Sequence, residues 1–375
     1  MNIAYNAMVL KEPYSGVEVT VYQLAAALAR YGTVPGTVYL PPEHRPIPES
    51  DHLALHRAAK WSSRSRLMRI LWEQTVLPVR LMRSHATLLH APAYVAPVLS
   101  PCPVVLTIHD LHVMTHPQFC RRRNRLHYNM LIPRSIRHAA AVIVFSAYTE
   151  RTVLARFPEA REKIVVIPPG LDPTLTRCTH FGKLQDVRRK YELPSSFLLF
   201  VGDLTVRKNI VGLINAFAIV QGERPELHLI LAGAAGKATR AAIDHTIRQY
   251  GLAHRVKRIG YVPSGDLNAL YSLAKAFVFP SHDEGFGLPP LEAMACGCPV
   301  VCSGGAAVEN CGDAAVTCDP RDAVSIAGAV SLLLDHPFFR QEKIEAGYRK
   351  AAAFSWKTSV SATEAVYKNA SRLLR

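Results

Sequence analysis

The sequence predicts an α/β protein of two doubly wound parallel-sheet domains facing a cleft. Three observations carry this expectation. Short runs rich in Val, Ile, Leu and Phe alternate with helix-patterned segments along most of the 375 residues. Those runs are almost continuously apolar, the pattern of parallel strands covered on both faces. They fall into two series, separated by the Pro/Gly-rich seam "IPPGLDPTLTRCTHFG" near residues 168–185. The length agrees, because one hydrophobic core rarely organises so long a chain.

The elements follow in order. "NIAYNAMV" reads as a first strand, and "GVEVTVYQLAAALARYG" as an amphipathic helix closed by Gly32. "PVVLTIHD", "AAVIVFS" and "KIVVIPPG" are short β-branched runs bounded by turn residues. "SFLLFVGDL", "LHLILAG", "RVKRIGYV", "AFVFPS" and "PVVCSG" continue the pattern beyond the seam. In open parallel sheets, ligands bind at the carboxyl ends of the strands. His109 and Asp110, the loop from Asp203 to Asn209, and the loop from Asp283 to Leu288 all stand at such ends.

Composition narrows the class. With 49% hydrophobic and 19% charged residues the chain reads as soluble and globular. No run approaches the roughly 18 apolar residues of a membrane span, and "MNIAYNAMVLKEP" lacks the basic start of a signal peptide. A cytoplasmic protein with reduced thiols is expected, and the eight cysteines are read that way. A zinc site is the alternative for the close group Cys296, Cys298, Cys302, Cys311 and Cys318, although "CGC" lacks finger spacing. The net charge of +15 is uneven, with 20 Lys+Arg against 10 Asp+Glu in residues 1–170 and 24 against 19 thereafter. A basic first half suits an anionic partner such as nucleic acid, lipid headgroups or a phosphorylated substrate.

The stretch "SHDEGFGLPPLEAMACGCPVV" (281–301) holds the most chemistry. Gly285 and Gly287 let a ligand approach the backbone. Pro289 and Pro290 suit a first helical turn, leaving free amides and a positive dipole end for an anion. Glu284 lies before this anion pocket, and Glu292 is read into the first turn after it. Carboxylates accept hydrogen bonds from hydroxyls, so the ligand should carry phosphate in the middle and hydroxyls at both ends, as a nucleotide-sugar does. The plainer reading of Glu292 is a glutamate favoured by the helix dipole. In "VGDLTVRKN", Arg207 offers a planar fork for phosphate oxygens and Lys208 a point charge; otherwise they are a solvated pair. His109 is a strand-tip histidine beside an aspartate, functional or structural. Gly16 would admit a diphosphate near the first helix, or simply start that helix. No D-x-D occurs, so a metal bridging the diphosphate is not supported, and neither a nucleophile-elbow nor a P-loop pattern is present.

Two basic stretches stand apart, "KWSSRSRLMRILWEQTVLPVRLMR" (60–83) and "RRRNRLHYNML" (121–131). Either could hold a helix to an anionic membrane surface. The alternative for the first is an amphipathic helix with Leu67, Ile70 and Leu71 in the core and its arginines in water.

Taken together, "VFPSHDEGFGLPPLEAMACGCPVV", "WEQTVLP", "VVLTIHDLH", "AAVIVFSAYTE", "VIPPGLD", "FVGDLTVRKN", "INAF", "GDAAVTCDP" and "FSW" resemble family 4 glycosyltransferases, with their E-x₇-E signature. The resemblance implies the GT-B fold of two Rossmann-like domains. Residues 1–175 would bind acceptor, 176–355 the nucleotide-sugar, and a helix over 356–375 would cross back to the first domain. It implies that Glu284 holds donor-sugar hydroxyls, Glu292 the ribose, and Arg207 and Lys208 the diphosphate. Amides of Gly285, Phe286, Gly287 and Leu288 would touch sugar and phosphates, and His109 would lie near the reacting carbon. Gly16 would pass the diphosphate, Val262 the base, and Glu309 the nucleotide. Asp203 departs from the family pattern, which commonly has a basic residue there, so more weight falls on Arg207 and Lys208.

The expected function is retaining, metal-independent hexosyl transfer without a cofactor, in bacterial polysaccharide biosynthesis. "IHDLHVMTHP" resembles mannosyl- and rhamnosyltransferases, and GDP-mannose is the first donor expected. The acceptor would be a saccharide or lipid-linked saccharide, with peripheral membrane contact at the inner face and no nucleic-acid partner. A nucleotide-sugar 2-epimerase of the same fold and a non-catalytic sugar-nucleotide binder are the alternatives.

Overall fold

The structure, a computed structural model, describes residues 1–120 and 122–372. Arg121 of the second basic stretch and residues 373–375 of the expected last helix lie outside them. The chain divides into two compact units, Met1–Gly170 with Phe354–Arg375, and Leu171–Ala353.

The first unit is built on seven parallel strands: β1 (Ile3–Asn6), β2 (Gly36–Leu40), β3 (Leu53–Arg57), β4 (Leu88–Ala91), β5 (Val104–Ile108), β6 (Ala141–Val144) and β7 (Ile164–Val166). Their order across the sheet is β3-β2-β1-β4-β5-β6-β7. Helices α1 (Gly16–Tyr31), α2 (Arg66–Arg83), α3 (His112–Thr115), α4 (Arg122–His138) and α5 (Ala147–Arg156) connect them. Central strands β1, β4, β5 and β6 are buried throughout, as strands with both faces covered must be. Edge strand β3 is mostly exposed, and its Leu-Ala-Leu-His-Arg sequence gives no apolar run. That is why β3 escapes a reading by hydrophobic pattern. β2 and β4 also escape it; β4 carries a buried histidine, His90, within its apolar run.

Helix α2 corrects the sequence reading of its inner face. Leu67 and Leu71 are 63% and 46% exposed, and Trp72, Leu77 and Leu81 are the buried residues. The helix is turned so that its aromatic residue enters the core, where Trp72 packs beside Tyr39. Trp72 with Leu77 and Leu81 removes more apolar area from water than Leu67 and Leu71 would, which favours this orientation.

The second unit has six parallel strands: β8 (Phe197–Val201), β9 (His228–Ala232), β10 (Val256–Gly260), β11 (Ala276–Phe279), β12 (Val300–Cys302) and β13 (Ala315–Thr317). They are ordered β10-β9-β8-β11-β12-β13. Its helices are α6 (Phe181–Lys190), α7 (Ile210–Glu223), α8 (Lys237–Gln249), α9 (Ser264–Leu273), α10 (Leu288–Ala295), α11 (Gly305–Cys311), α12 (Ala323–Asp335) and α13 (Pro337–Ala352). Phe200, Phe279 and Phe277 stack in succession at 5.6 and 5.8 Å beneath the centre of this sheet. The strand order reverses between β8 and β11, and ligands of open α/β sheets bind at such a point.

Helix α14 (Trp356–Ala370) completes the first unit. Glu364 accepts hydrogen bonds from the amides of Thr33 and Val34 at 2.6 and 2.9 Å and from the Thr33 hydroxyl at 2.9 Å. The Tyr367 hydroxyl lies 2.6 Å from His90 Nδ1, and Thr107 Oγ1 lies 2.8 Å from Nε2. Burial pushes His90 down to about 3, so it is a neutral link in this network.

All eight cysteines are free thiols. Burial pushes Cys296 and Cys318 up to about 12. Among the described residues no group of His, Cys, Asp and Glu is arranged to hold a metal ion. No helix among them is long and apolar enough to cross a membrane.

Candidate active site

The loops after β8 and β11 meet at the reversal point of the second sheet. Arg207 Nη1 donates to the Asp283 carbonyl at 2.6 Å, and the His282 amide donates to the Arg207 carbonyl at 2.9 Å. The sequence-adjacent cations Arg207 and Lys208 thereby reach a carboxylate 76 positions beyond Lys208.

Glu284 is the centre of this arrangement. Its Oε1 receives Lys208 Nζ at 2.7 Å, Arg207 Nη1 at 2.7 Å and Ser281 Oγ at 2.5 Å. Burial opposes its ionisation, but Lys208, then Arg207, and the two hydrogen bonds outweigh it. The carboxyl sits at about 2. Lys208 is lowered by its own burial, against the pull of Glu284, and its ammonium rests 4.4 Å from the centre of the Phe279 ring. No hydrogen bond to Glu284 Oε2 is made among the described residues. An ionised carboxylate with one oxygen saturated and the other available is a hydroxyl acceptor of fixed direction.

The glycine loop takes the expected form. Gly287 has φ +88° and precedes α10, and a Cβ there would stand 2.7 Å from the Ala307 Cβ. Only glycine meets both conditions. Phe286 is buried and its carbonyl accepts from Asn310 Nδ2 at 2.7 Å; the Ala306 amide donates to the Glu284 carbonyl at 3.0 Å. Gly285 joins Glu284 to Phe286. Leu288, Pro289 and Pro290 form the first turn of α10.

Glu292 departs from the expectation. It is the fifth residue of α10, one turn past the start, so it is not a first-turn partner of the dipole. Its Oε2 accepts from the Tyr271 hydroxyl at 3.1 Å. Burial raises it to about 7; the Tyr271 hydrogen bond works downward and the nearby Asp172 upward. Val262 is buried just after β10, and Glu309 lies on α11 one residue before Asn310.

In the first unit, His109 follows β5 and is buried. Its Nε2 lies 2.7 Å from the Pro92 carbonyl, which can only accept, so Nε2 carries the proton. Burial lowers the ring's pKa and keeps it neutral. Nδ1 is then a lone-pair acceptor, and His109 can receive a hydroxyl but not protonate one. Gly16 is the first residue of α1, and a Cβ built on it would meet nothing within 4 Å.

The structure thus brings Arg207, Lys208, Glu284 and the 285–288 loop together, with Glu292 one turn beyond. Sequence reasoning missed Ser281 and Tyr271. Ser281 stands three residues before Glu284 and could have been taken as its partner. Tyr271 precedes Glu292 by 21 positions on another helix, and no local pattern links them.

Two α/β units, each built on one parallel sheet, make the architecture of the GT-B fold. The profile of "Glycosyltransferase Family 4" matches residues 14–175 and that of "Glycosyl transferases group 1" matches residues 185–350. The O-antigen chain mannosyltransferase B of Escherichia coli is 30% identical over 267 residues, covering 70% of each chain. Sucrose-phosphate synthase of Thermosynechococcus elongatus superposes with a TM-score of 0.78 at 23% identity, covering 98% of both chains. Anabaena HepE, solved with UDP and glucose, gives 0.75 at 20% identity over 98% of this chain and all of its own. The chain belongs to glycosyltransferase family 4.

Proposed function

We propose that this glycosyltransferase moves a hexose, mannose by preference, from a nucleoside-diphosphate sugar to a saccharide or lipid-linked saccharide, with retention and without a metal, in polysaccharide synthesis. The observation that carries the reading is Glu284, held ionised by Lys208, Arg207 and Ser281 at the sheet reversal. The similarity to an O-antigen mannosyltransferase supports the choice of sugar and of process, and HepE's complex supports a nucleotide-sugar donor.

Each group then has a task. Glu284 Oε2 accepts hydroxyls of the donor sugar. Glu292, when ionised, accepts the ribose hydroxyls. Arg207 and Lys208 offset negative charge gathering on the β-phosphate as the bond from C1 to the phosphate oxygen breaks, work that preorganised cations do well. Amides of residues 285–288, with Gly16, line the path of the diphosphate. His109 Nδ1 receives a donor hydroxyl near C1. Val262 and Glu309 contact the nucleotide. The acceptor oxygen bonds to C1 on the face the phosphate leaves, and its proton passes to a β-phosphate oxygen. These cations are side chains, and the chain has no paired aspartates to bind a bridging ion.

Peripheral contact with the inner face of an anionic membrane is part of the same proposal. Leu67 and Leu71 on α2, and Leu126 and Met130 on α4, are exposed on helices rich in arginine. Apolar side chains beside arginines suit the headgroup boundary.

A melting panel with UDP, GDP, dTDP and ADP tests the donor. Ligand at 100 times its Kd stabilises by about 2.7 kcal/mol, and GDP is expected to give the largest shift. No shift with any of the four would remove the reading. Excess EDTA is expected to leave GDP-mannose turnover within about twofold, and strict dependence on added Mn²⁺ would contradict the metal-free step.

A further inference from the structure

The two cations of the Glu284 cluster ride on a single 3₁₀ turn, Val206–Lys208, between β8 and α7. Asn209 joins that turn to the helix. It stands at φ +56° and ψ +43°, in the left-handed region. Among the described residues four non-glycine positions have positive φ, His85, Tyr94, Glu192 and Asn209, and of these only Asn209 is buried. Asparagine tolerates this backbone better than most residues, and glycine better still. The amides of Lys208 and Asn209 donate to the Thr205 and Val206 carbonyls at 3.1 and 3.0 Å. The turn is thus closed on itself, and the bend at Asn209 sets its direction relative to α7.

Backbone geometry does not explain asparagine in place of glycine. An asparagine ahead of a helix ordinarily turns its side chain onto the helix's free amides. Asn209 makes no such bond to α7. Its Nδ2 instead donates to the Pro320 carbonyl at 2.5 Å, 111 positions away. Pro320 lies in the loop between the edge strand β13 and α12. That loop is braced: the Cys318 amide donates to the Cys302 carbonyl at 3.2 Å, the Asp319 amide to Ser325 Oγ at 3.0 Å, and the Asp322 amide to the Asp319 carbonyl at 3.2 Å. Helix α7 leaves room for the contact. A Cβ on Gly212 would stand 2.4 Å from Asn209 Oδ1 and 2.6 Å from Nδ2. A buried carboxamide therefore ties the cation turn to a fixed loop at the edge of the sheet, and burial makes such a bond costly to leave unmade.

We infer that Asn209 is a positioning residue for the transfer: its side chain, latched on Pro320, holds the left-handed bend that aims Lys208 at Glu284. This rests on the proposed catalytic task of Lys208, and the first readout therefore uses no donor.

Two substitutions undo the latch by different routes. Asn209→Gly removes the carboxamide and keeps the bend without steric cost. Gly212→Ala leaves Asn209 in place and fills the space its carboxamide occupies; as a change within a helix it would otherwise be neutral or stabilising. In the full chain labelled with ¹⁵N-lysine, the Lys208 ammonium signal, assigned by its loss in Lys208→Arg, reports the ion pair through its exchange with water. Both variants are expected to exchange at least about fivefold faster. With GDP-mannose, kcat is expected to fall about tenfold in each, the scale of a small misplacement at a reacting centre, with donor KM within about twofold and the melting temperature nearly unchanged. Adding Gly212→Ala to Asn209→Gly should cost nothing further, because the group it displaces is gone. Were Asn209 needed only for its backbone, Asn209→Gly would match the wild type. Wild-type exchange or wild-type kcat in either single variant, or a second, independent loss in the double variant, would overturn the inference. Failure of the nucleotide melting panel would instead remove the transferase reading and leave the ammonium exchange to decide.

Discussion

Glu284 and Glu292 are the same residue type, eight positions apart on one loop and helix, and the fold shifts their pKa values in opposite directions. Both are sunk in the second unit, where burial alone raises a carboxyl. Glu284 has two cations and a serine hydroxyl on one oxygen and lies at about 2. Glu292 has one phenol, with Asp172 nearby, and lies at about 7. The difference teaches that neighbours, not depth, set the charge. A permanent anion suits a sugar position where the hydroxyl direction must not vary. On the proposed assignment, a carboxyl titrating near neutrality would make the nucleotide end the adjustable one.

The comparison can be broken most severely at Glu284. Glu284→Gln should lower kcat by about 10³-fold, the scale of losing one preorganised catalytic partner. It should also cost about 3 kcal/mol of stability, because Lys208 is left buried without its counter-charge. Turnover against a calibrated donor, with urea unfolding, measures both; wild-type values for either would sink the assignment. The sign for pH follows from the lowered pKa. Glu284 stabilises the native state above its ordinary 4.5, and this contribution is lost only as pH falls towards 2.

Glu292→Gln should be milder, weakening nucleotide affinity about tenfold, worth about 1.4 kcal/mol. Wild-type affinity should be about fivefold weaker at pH 6 than at pH 8, because protonation removes an acceptor of the ribose hydroxyls. The variant should lose that slope. Stability runs the other way. With a raised pKa, the native state binds the proton more tightly, so acidification from pH 7 to the ordinary 4.5 stabilises it. Calorimetric titration of the nucleoside diphosphate at both pH values decides the point, and equal slopes in the two proteins would remove Glu292 from the nucleotide.

The smallest effect sharpens the same contrast. Tyr271→Phe removes the hydrogen bond that holds Glu292 down, so its titration should move above 7. Affinity at pH 7 should fall about twofold, on the scale of one neutral hydrogen bond, and recover at pH 8.5. A loss independent of pH would mean that Tyr271 serves packing instead.

Much of this site was legible because it is local. The glycines, the prolines and the two glutamates lie within nine residues, and their chemistry follows from spacing. What failed was phase and distance. A helix starting at the two prolines would put Glu292 in its first turn, whereas α10 begins at Leu288. On α2 the inward face is the one that carries Trp72 together with Leu77 and Leu81, not the one that carries Leu67 and Leu71. Tyr271 was invisible because it lies on α9 and Glu292 on α10, two helices that only the fold brings together.

Helix α14 gives the chain an unusual order of completion. The first unit is finished by residues 354–372, whose Glu364 and Tyr367 lock onto Thr33, Val34 and His90. Every residue of the second unit is translated before that lock exists. A nascent chain therefore carries a completed second unit while its first unit still waits for its last strut, and a stop codon placed shortly before residue 354 would wound the first unit rather than the second.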